Sequence, residues 1–325
     1  MERGIESSFG RYLNYVRISV TDRCNFRCRY CMPSGGVPIL SHEEIMSYED
    51  ILFLAKTLSS MGVKRLRFTG GEPFVRKDFV PFLERLRSEL PDFAVAVTTN
   101  GSLVKPWAKR LGDLGLDGIS VSLDSLKPDR FRNITRLGDL GSVIEGIDAL
   151  VDSSNAVKLN TVIVKGFNDD ELPDLLDFAR EKGVLLRLIE FMPLDSEVWL
   201  ENAFVSVDDM IDGLPDGELW IPERPSDSLT SGPSVYYRNR TTGQRLGLIA
   251  AVSHHFCDRC NRLRITSDGE VRPCLFDVRG RSVMSALRDR CSEALVETIA
   301  AAALDKPECW TKVARGESHM SRIGG

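Results

Sequence analysis

Short β-branched runs alternate with amphipathic stretches over the first two-thirds of the chain. YVRISV (15–20), RLRFT (65–69), FAVAVTT (93–99), GISVSL (118–123), VKLNTVIV (157–164) and LLRLIEF (185–191) read as strands. Between them, SYEDILFLAKTLSSMG carries helical periodicity, with Ser47 and Asp50 as a capping-box start and Gly62 as a stop. FVPFLERLRSEL, VKPWAKRLGDLG, SVIEGIDALVDS and DELPDLLDFAREKG are the later helices. Repeated βα crossovers predict an α/β fold with a parallel sheet. Six units fall short of the eight of a closed (β/α)8 barrel, so the expectation is an open, partial (β/α)6 TIM-like barrel. After Leu194 the pattern gives way to a Pro- and Gly-rich region around LPDGELWIPERPSDSLTSGPS. The predicted division is therefore residues 1–194 and a smaller C-terminal module, 195–325.

Size and charge narrow the partners. The chain has 325 residues and a formal net charge of −5, which speaks against broad binding to nucleic acid or anionic membranes and leaves room for a local basic pocket. MERGIESSFGRY lacks an apolar leader core, and no apolar run reaches the roughly 18–20 residues of a membrane span. A cytoplasmic protein is expected. In a reducing compartment, clustered cysteines point to metal ligation or catalysis rather than disulfides. Six of the eight cysteines fall in two clusters, and Cys291 and Cys309 are expected to be buried bystanders.

The first cluster, CNFRCRYC, follows the first strand with spacing C-x3-C-x2-C: Cys24, Cys28 and Cys31. Three thiolates on a tight loop can hold three corners of a [4Fe–4S] cluster and leave one iron without a protein ligand. Zinc fits less well, because no histidine lies within residues 21–41 to complete a tetrahedron. The second cluster is Cys257, Cys260 and Cys274 in CDRCNRLRITSDGEVRPC. Here CxxC with a later cysteine also resembles a zinc ribbon, with His254 or His255 as the fourth ligand. Against zinc stand Arg259, Arg262, Arg264 and Arg272, whose forked donors suit an anionic, polyphosphate-bearing ligand. A solvated charged face is the plainer alternative. TGGEP, TTNG and SLDS follow the second, third and fourth strands, at the ends where parallel α/β folds gather their sites.

The CxxxCxxC loop with Tyr30 before its last cysteine resembles the signature of radical S-adenosylmethionine (SAM) enzymes. Together with TGGEPFVR, TTNG, SVSLDSL, LNTV, IEFMP, FCDRCNRLRITSDGEVRPCLF and the terminal GG, nearly the whole chain resembles the GTP 3′,8-cyclase family, which opens molybdenum cofactor biosynthesis. Phe74 after TGGEP and Leu159 before NTV are mild departures from the family pattern. The resemblance implies a lyase with two [4Fe–4S] clusters that cleaves SAM to a 5′-deoxyadenosyl radical. That radical takes the ribose C3′ hydrogen of GTP, and C3′ then attacks guanine C8 to give 3′,8-cyclo-7,8-dihydro-GTP.

Carried over by motif, Cys24, Cys28 and Cys31 would hold the cluster that binds SAM, and Cys257, Cys260 and Cys274 the one that meets GTP. Tyr30, Gly71, Ser122 and Met192 would line the SAM site. Arg17, Arg67, Thr98, Lys158, Arg262 and Arg264 would contact GTP, and Gly324 and Gly325 would reach in and support cyclisation. The resemblance also implies a homodimer, an external electron donor and transient contact with the cyclic pyranopterin monophosphate synthase. Two alternatives stay open on the residues alone: another two-cluster radical SAM enzyme, and a zinc-stabilised binding module.

Overall fold

The computed structural model describes residues 4–194, 201–223, 232–313 and 320–324. After a short antiparallel pairing of Ile5–Glu6 with Tyr12–Leu13, the next six strands in chain order are β1 (Tyr15–Ser19), β2 (Arg65–Thr69), β3 (Ala94–Thr99), β4 (Gly118–Ser122), β5 (Val157–Ile163) and β6 (Leu185–Glu190). Six more follow: β7 (Trp220–Glu223), β8 (Val235–Asn239), β9 (Arg245–Ile249), β10 (Arg262–Ile265), β11 (Glu270–Arg272) and β12 (Arg281–Ser282). The principal helices are α1 (Tyr48–Ser60), α2 (Phe79–Glu89), α3 (Ala108–Asp113), α4 (Pro128–Thr135), α5 (Leu140–Asp152), α6 (Leu172–Glu181), α7 (Val207–Asp212), α8 (Met284–Arg288), α9 (Ser292–Leu304) and α10 (Met320–Ile323). The chain divides into two compact units, one built from 1–25, 31–98 and 257–325, the other from 26–30 and 99–256.

In the first unit β10, β1, β2 and β3 run parallel, side by side, and β11 and β12 continue antiparallel beyond β10. Residues 16, 18, 66, 68, 95 and 97 turn one face of these strands to a core with α1 and α2, and all six are buried. Aromatic packing fixes the helix: Phe82 of α2 meets Phe68 edge-on at 5.3 Å and stacks on Tyr48 at 4.5 Å. The expected capping box forms, with the Ser47 hydroxyl accepting from the Asp50 amide and the Asp50 carboxylate accepting from the Ser47 amide.

In the second unit β4, β5 and β6 run parallel, and β9 adds to β6 in the same direction before β8 and β7 return antiparallel. The helices α5 and α6 bury Val143, Ile147, Leu150, Leu175, Leu176 and Ala179. Gly146 lets α5 approach the turn at Gly101, because a Cβ there would sit 2.1 Å from the Gly101 carbonyl oxygen. Residues after 194 thus supply strands to both units, β7–β9 to one and β10–β12 to the other. That region is more regular than its Pro- and Gly-rich composition suggested. Among the described residues, no helix is long and apolar enough to cross a membrane.

Candidate functional site

The first unit carries a cationic face written by strand register. Arg262, Tyr15 and Arg65 lie across β10, β1 and β2 in one row, and Arg264, Arg17 and Arg67 form the next. Because side chains two apart share a face, these six project from the same side. Arg65, Arg67 and Arg264 are buried, as is Tyr15. Arg67 donates from Nε to the Tyr15 hydroxyl at 2.6 Å and from Nη1 to the Val97 carbonyl and the Thr98 hydroxyl, both at 3.2 Å. Burial alone would push the Tyr15 hydroxyl up, but the Arg67, Arg17 and Arg262 charges bring it down to about 7. Burial and the neighbouring Arg262 charge lower Arg264 to about 10.

The C-terminal tail reaches this face. The Arg264 Nη1 donates to the Gly324 carbonyl, and a Cβ on Gly324 would lie 1.7 Å from the Thr69 hydroxyl. Gly324 has φ +74°, which glycine adopts freely. Just before it, the Ser321 backbone N–H donates to the Cys31 thiol. Gly325 lies outside the described residues.

All eight cysteines are free thiols. Beside Cys24, the TGGEP turn straps onto the loop through Gly71 N–H to the Thr21 carbonyl and Glu72 N–H to the Arg23 carbonyl, each at 2.8 Å. Gly71 is required by contact, since a Cβ would lie 2.3 Å from the Arg23 carbonyl oxygen and 2.9 Å from the Cys24 Cβ. Burial pushes the Cys31 thiol up to about 12. Cys28 lies with 26–30 in the second unit, where Arg27 and Arg29 amides bond the Thr135 and Ile134 carbonyls at the end of α4.

At the other loop, each thiol receives a backbone N–H: Cys260 from Arg262, Cys274 from Phe276 and Cys257 from Trp310. Burial works against the Cys260 thiolate, but the Arg262 and Lys306 charges bring its pKa down to about 6. Such donors and charges suit iron–sulfur ligands. Cys309 is not the buried bystander expected: it is half-buried, and its sulfur lies within 4.8 Å of Cys257. Cys291, also half-buried, stands at the start of α9. His254 is exposed and bonds Asp208 at 2.7 Å. Of the four arginines flagged here, Arg259 is exposed and Arg272 pairs with Glu270 at 2.7 Å, leaving Arg262 and Arg264 on the cationic face.

The second unit holds the remaining residues. Tyr30 donates to Asp124 Oδ2 at 2.6 Å, and the Val162 amide donates to Oδ1 at 2.9 Å. Burial pushes the Asp124 carboxyl up to about 6 despite both hydrogen bonds. Ser122 ends β4 and Met192 follows β6. Lys158 pairs in register with Ser120, and Asn160 with Ser122 and Arg187. Sequence reasoning passed over Arg187, which is buried and donates to the Ser120 hydroxyl at 2.6 Å. Its signal was a single charge inside the apolar run LLRLIEF. Gly247 makes room for it, because a Cβ there would lie 2.8 Å from the Arg187 Cγ. Tyr15, Arg65 and Asp124 were passed over as well.

Comparison with known proteins gives this arrangement a family. Residues 18–179 match the Radical SAM superfamily model and residues 184–312 the Molybdenum Cofactor Synthesis C model. The GTP 3′,8-cyclase of Thermodesulfovibrio yellowstonii is 39% identical over 99% of this chain and 100% of its own length. That of Moorella thermoacetica is likewise 39% identical, over 99% of this chain and 100% of its own. The chain belongs to the GTP 3′,8-cyclase family of radical SAM enzymes. Among solved structures, Streptococcus suis SuiB bound to S-adenosylmethionine matches with TM-score 0.67 and 14% identity, covering 90% of this chain and 68% of that one. At that identity the match speaks to fold, the α/β partial TIM-like barrel of radical SAM enzymes. Family membership makes the chain an enzyme that works with SAM and an iron–sulfur cluster.

Proposed function

We propose that the two cysteine loops hold two separate clusters and that the cationic face of the first unit is where the GTP triphosphate binds. The reaction is that of the family: removal of the ribose C3′ hydrogen of GTP and closure of C3′ onto guanine C8, giving 3′,8-cyclo-7,8-dihydro-GTP. Cys24, Cys28 and Cys31 would hold the cluster whose chemistry would be to supply the electron that cleaves SAM to a 5′-deoxyadenosyl radical. Everything else rests on positioning by this chain.

The observation that carries the reading is the arginine grid. Arg17, Arg67, Arg262 and Arg264 share one face, and Arg262 and Arg264 sit on the strand that begins two residues after Cys260. Forked, permanently charged donors bind phosphate oxygens in two-point contacts, and burial strengthens each contact. Thr98 extends the face through its bond to Arg67. Lys158 would also contact GTP, as the family resemblance implies. Tyr30, Gly71, Ser122 and Met192 would line SAM, with Asp124 orienting Tyr30. Gly324 and Gly325 would reach into the site and support cyclisation.

Residues 1–194 would thus be the SAM-binding part and 195–325 the module with the second cluster and the tail. A homodimer, an external reductant, a cytoplasmic setting and a hand-over to the synthase that consumes the product complete the proposal. Iron and sulfide counts test its core: alanine at Cys24, Cys28 and Cys31 should leave half the wild-type iron, and alanine at Cys257, Cys260 and Cys274 the other half. Full iron in either triple variant refutes the two-cluster reading.

A further inference from the structure

Lys306 is a buried cation that the reading above leaves unused. It follows α9 and is 3% exposed. A lysine just past a helix end commonly returns to that helix's last carbonyls. This one does not. Its ammonium donates to the Arg262 carbonyl at 2.8 Å and the Pro273 carbonyl at 2.7 Å. Arg262 is two residues after Cys260, and Pro273 immediately precedes Cys274.

The segment is held there from a third side. Arg11 donates to the Cys257 carbonyl at 2.7 Å, the Pro307 carbonyl at 2.7 Å and the Lys306 carbonyl at 3.3 Å. One arginine and one lysine thus tie backbone beside all three cysteines to the chain at 306–307. A buried ammonium is costly unless a counter-charge compensates it. The two carbonyls it bonds carry no full charge, so its charge is left to be compensated by an anionic group at the adjoining cysteine site.

We propose that Lys306 is the built-in counter-charge of the second cysteine site, a positioning residue that makes a cluster there easier to reduce. The proposal rests on the reading that Cys257, Cys260 and Cys274 hold a cluster. A fixed positive charge bonded to backbone within two residues of Cys260 and Cys274 favours the form carrying one more electron, because the ammonium is already oriented and needs no reorganisation.

The test uses full-length protein with Cys24, Cys28 and Cys31 changed to alanine, reconstituted anaerobically and titrated with reductant while the EPR signal is followed. Iron and sulfide in this background establish the cluster itself; their absence ends the cluster reading, and the proposal falls with it. Lys306→Gln keeps hydrogen-bond donors without the charge, and Lys306→Arg keeps the charge. At a fixed potential, the reduced-to-oxidised ratio is expected to fall at least tenfold in Lys306→Gln, about 59 mV for a one-electron couple. Lys306→Arg should stay within threefold of the parent. Iron loading in Lys306→Arg but not in Lys306→Gln also supports the proposal, since charge is then needed for assembly. An unchanged midpoint in Lys306→Gln overturns it, as does failure of both variants to load iron, which would assign Lys306 to fit alone.

Discussion

Replacing Gly324 with alanine should uncouple radical formation from ring closure. The added Cβ would lie 1.7 Å from the Thr69 hydroxyl, where ordinary contact begins at 3.4 Å, so the tail must withdraw by about 1.7 Å. Thr69 cannot yield, because its side chain is β-branched and buried in β2. Withdrawal breaks the Arg264 bond to the Gly324 carbonyl, a charge-assisted contact worth about 1.5–3 kcal/mol. Alanine at φ +74° adds about 1–2 kcal/mol of strain. Together these amount to about 2.5–5 kcal/mol against the seated tail, or roughly two to three and a half orders of magnitude in its occupancy at about 1.4 kcal/mol per tenfold. The assay is anaerobic turnover with dithionite, SAM and GTP, quantifying 5′-deoxyadenosine and cyclised nucleotide by mass spectrometry. Cyclised product should fall about 100-fold or more while 5′-deoxyadenosine still forms and the melting temperature holds. Product within threefold of wild type would refute the reasoning.

Gly71→Ala forces a Cβ to within 2.3 Å of the Arg23 carbonyl and should cost the first loop its iron, read as a halved iron count with the second site intact. Tyr15→Phe should flatten the pH dependence of GTP binding. In wild type the hydroxyl ionises near 7, so above that pH an anion stands among the arginines and weakens binding of an anionic substrate; a wild-type affinity unchanged between pH 6 and 8 would contradict this. Glu190 is buried and accepts from the Val207, Val252 and Ser253 amides at 3.0, 2.7 and 3.0 Å. Glu190→Ala strands those donors at about 1–3 kcal/mol each and should lower the melting temperature by well over 5 °C.

Local pattern carried strands β1–β6 and their helices. RLRFT is β2 without a residue's error, and the Ser47/Asp50 cap closes as spaced. The same local reading passed over α4 and failed after residue 194. There the strands are short and pair with distant ones, as β9 and β10 do with β6 and β1, which lie far back in the chain. The arginine grid was half visible. Each of RIS, RLR and RLRI alternates charge with apolar residues, but register between distant strands aligns them, and no single segment encodes it. Lys306 has no signature at all, because its meaning depends on carbonyls 44 and 33 residues earlier in the chain.

The most direct measurement of the central claim is turnover with GTP deuterated at the ribose C3′ position. If this chain removes that hydrogen with a SAM-derived radical, the deuterium appears in 5′-deoxyadenosine, in step with 3′,8-cyclo-7,8-dihydro-GTP, and a Cys257→Ser variant loses the cyclised product. 5′-Deoxyadenosine without deuterium, alongside unconsumed GTP, would contradict the account.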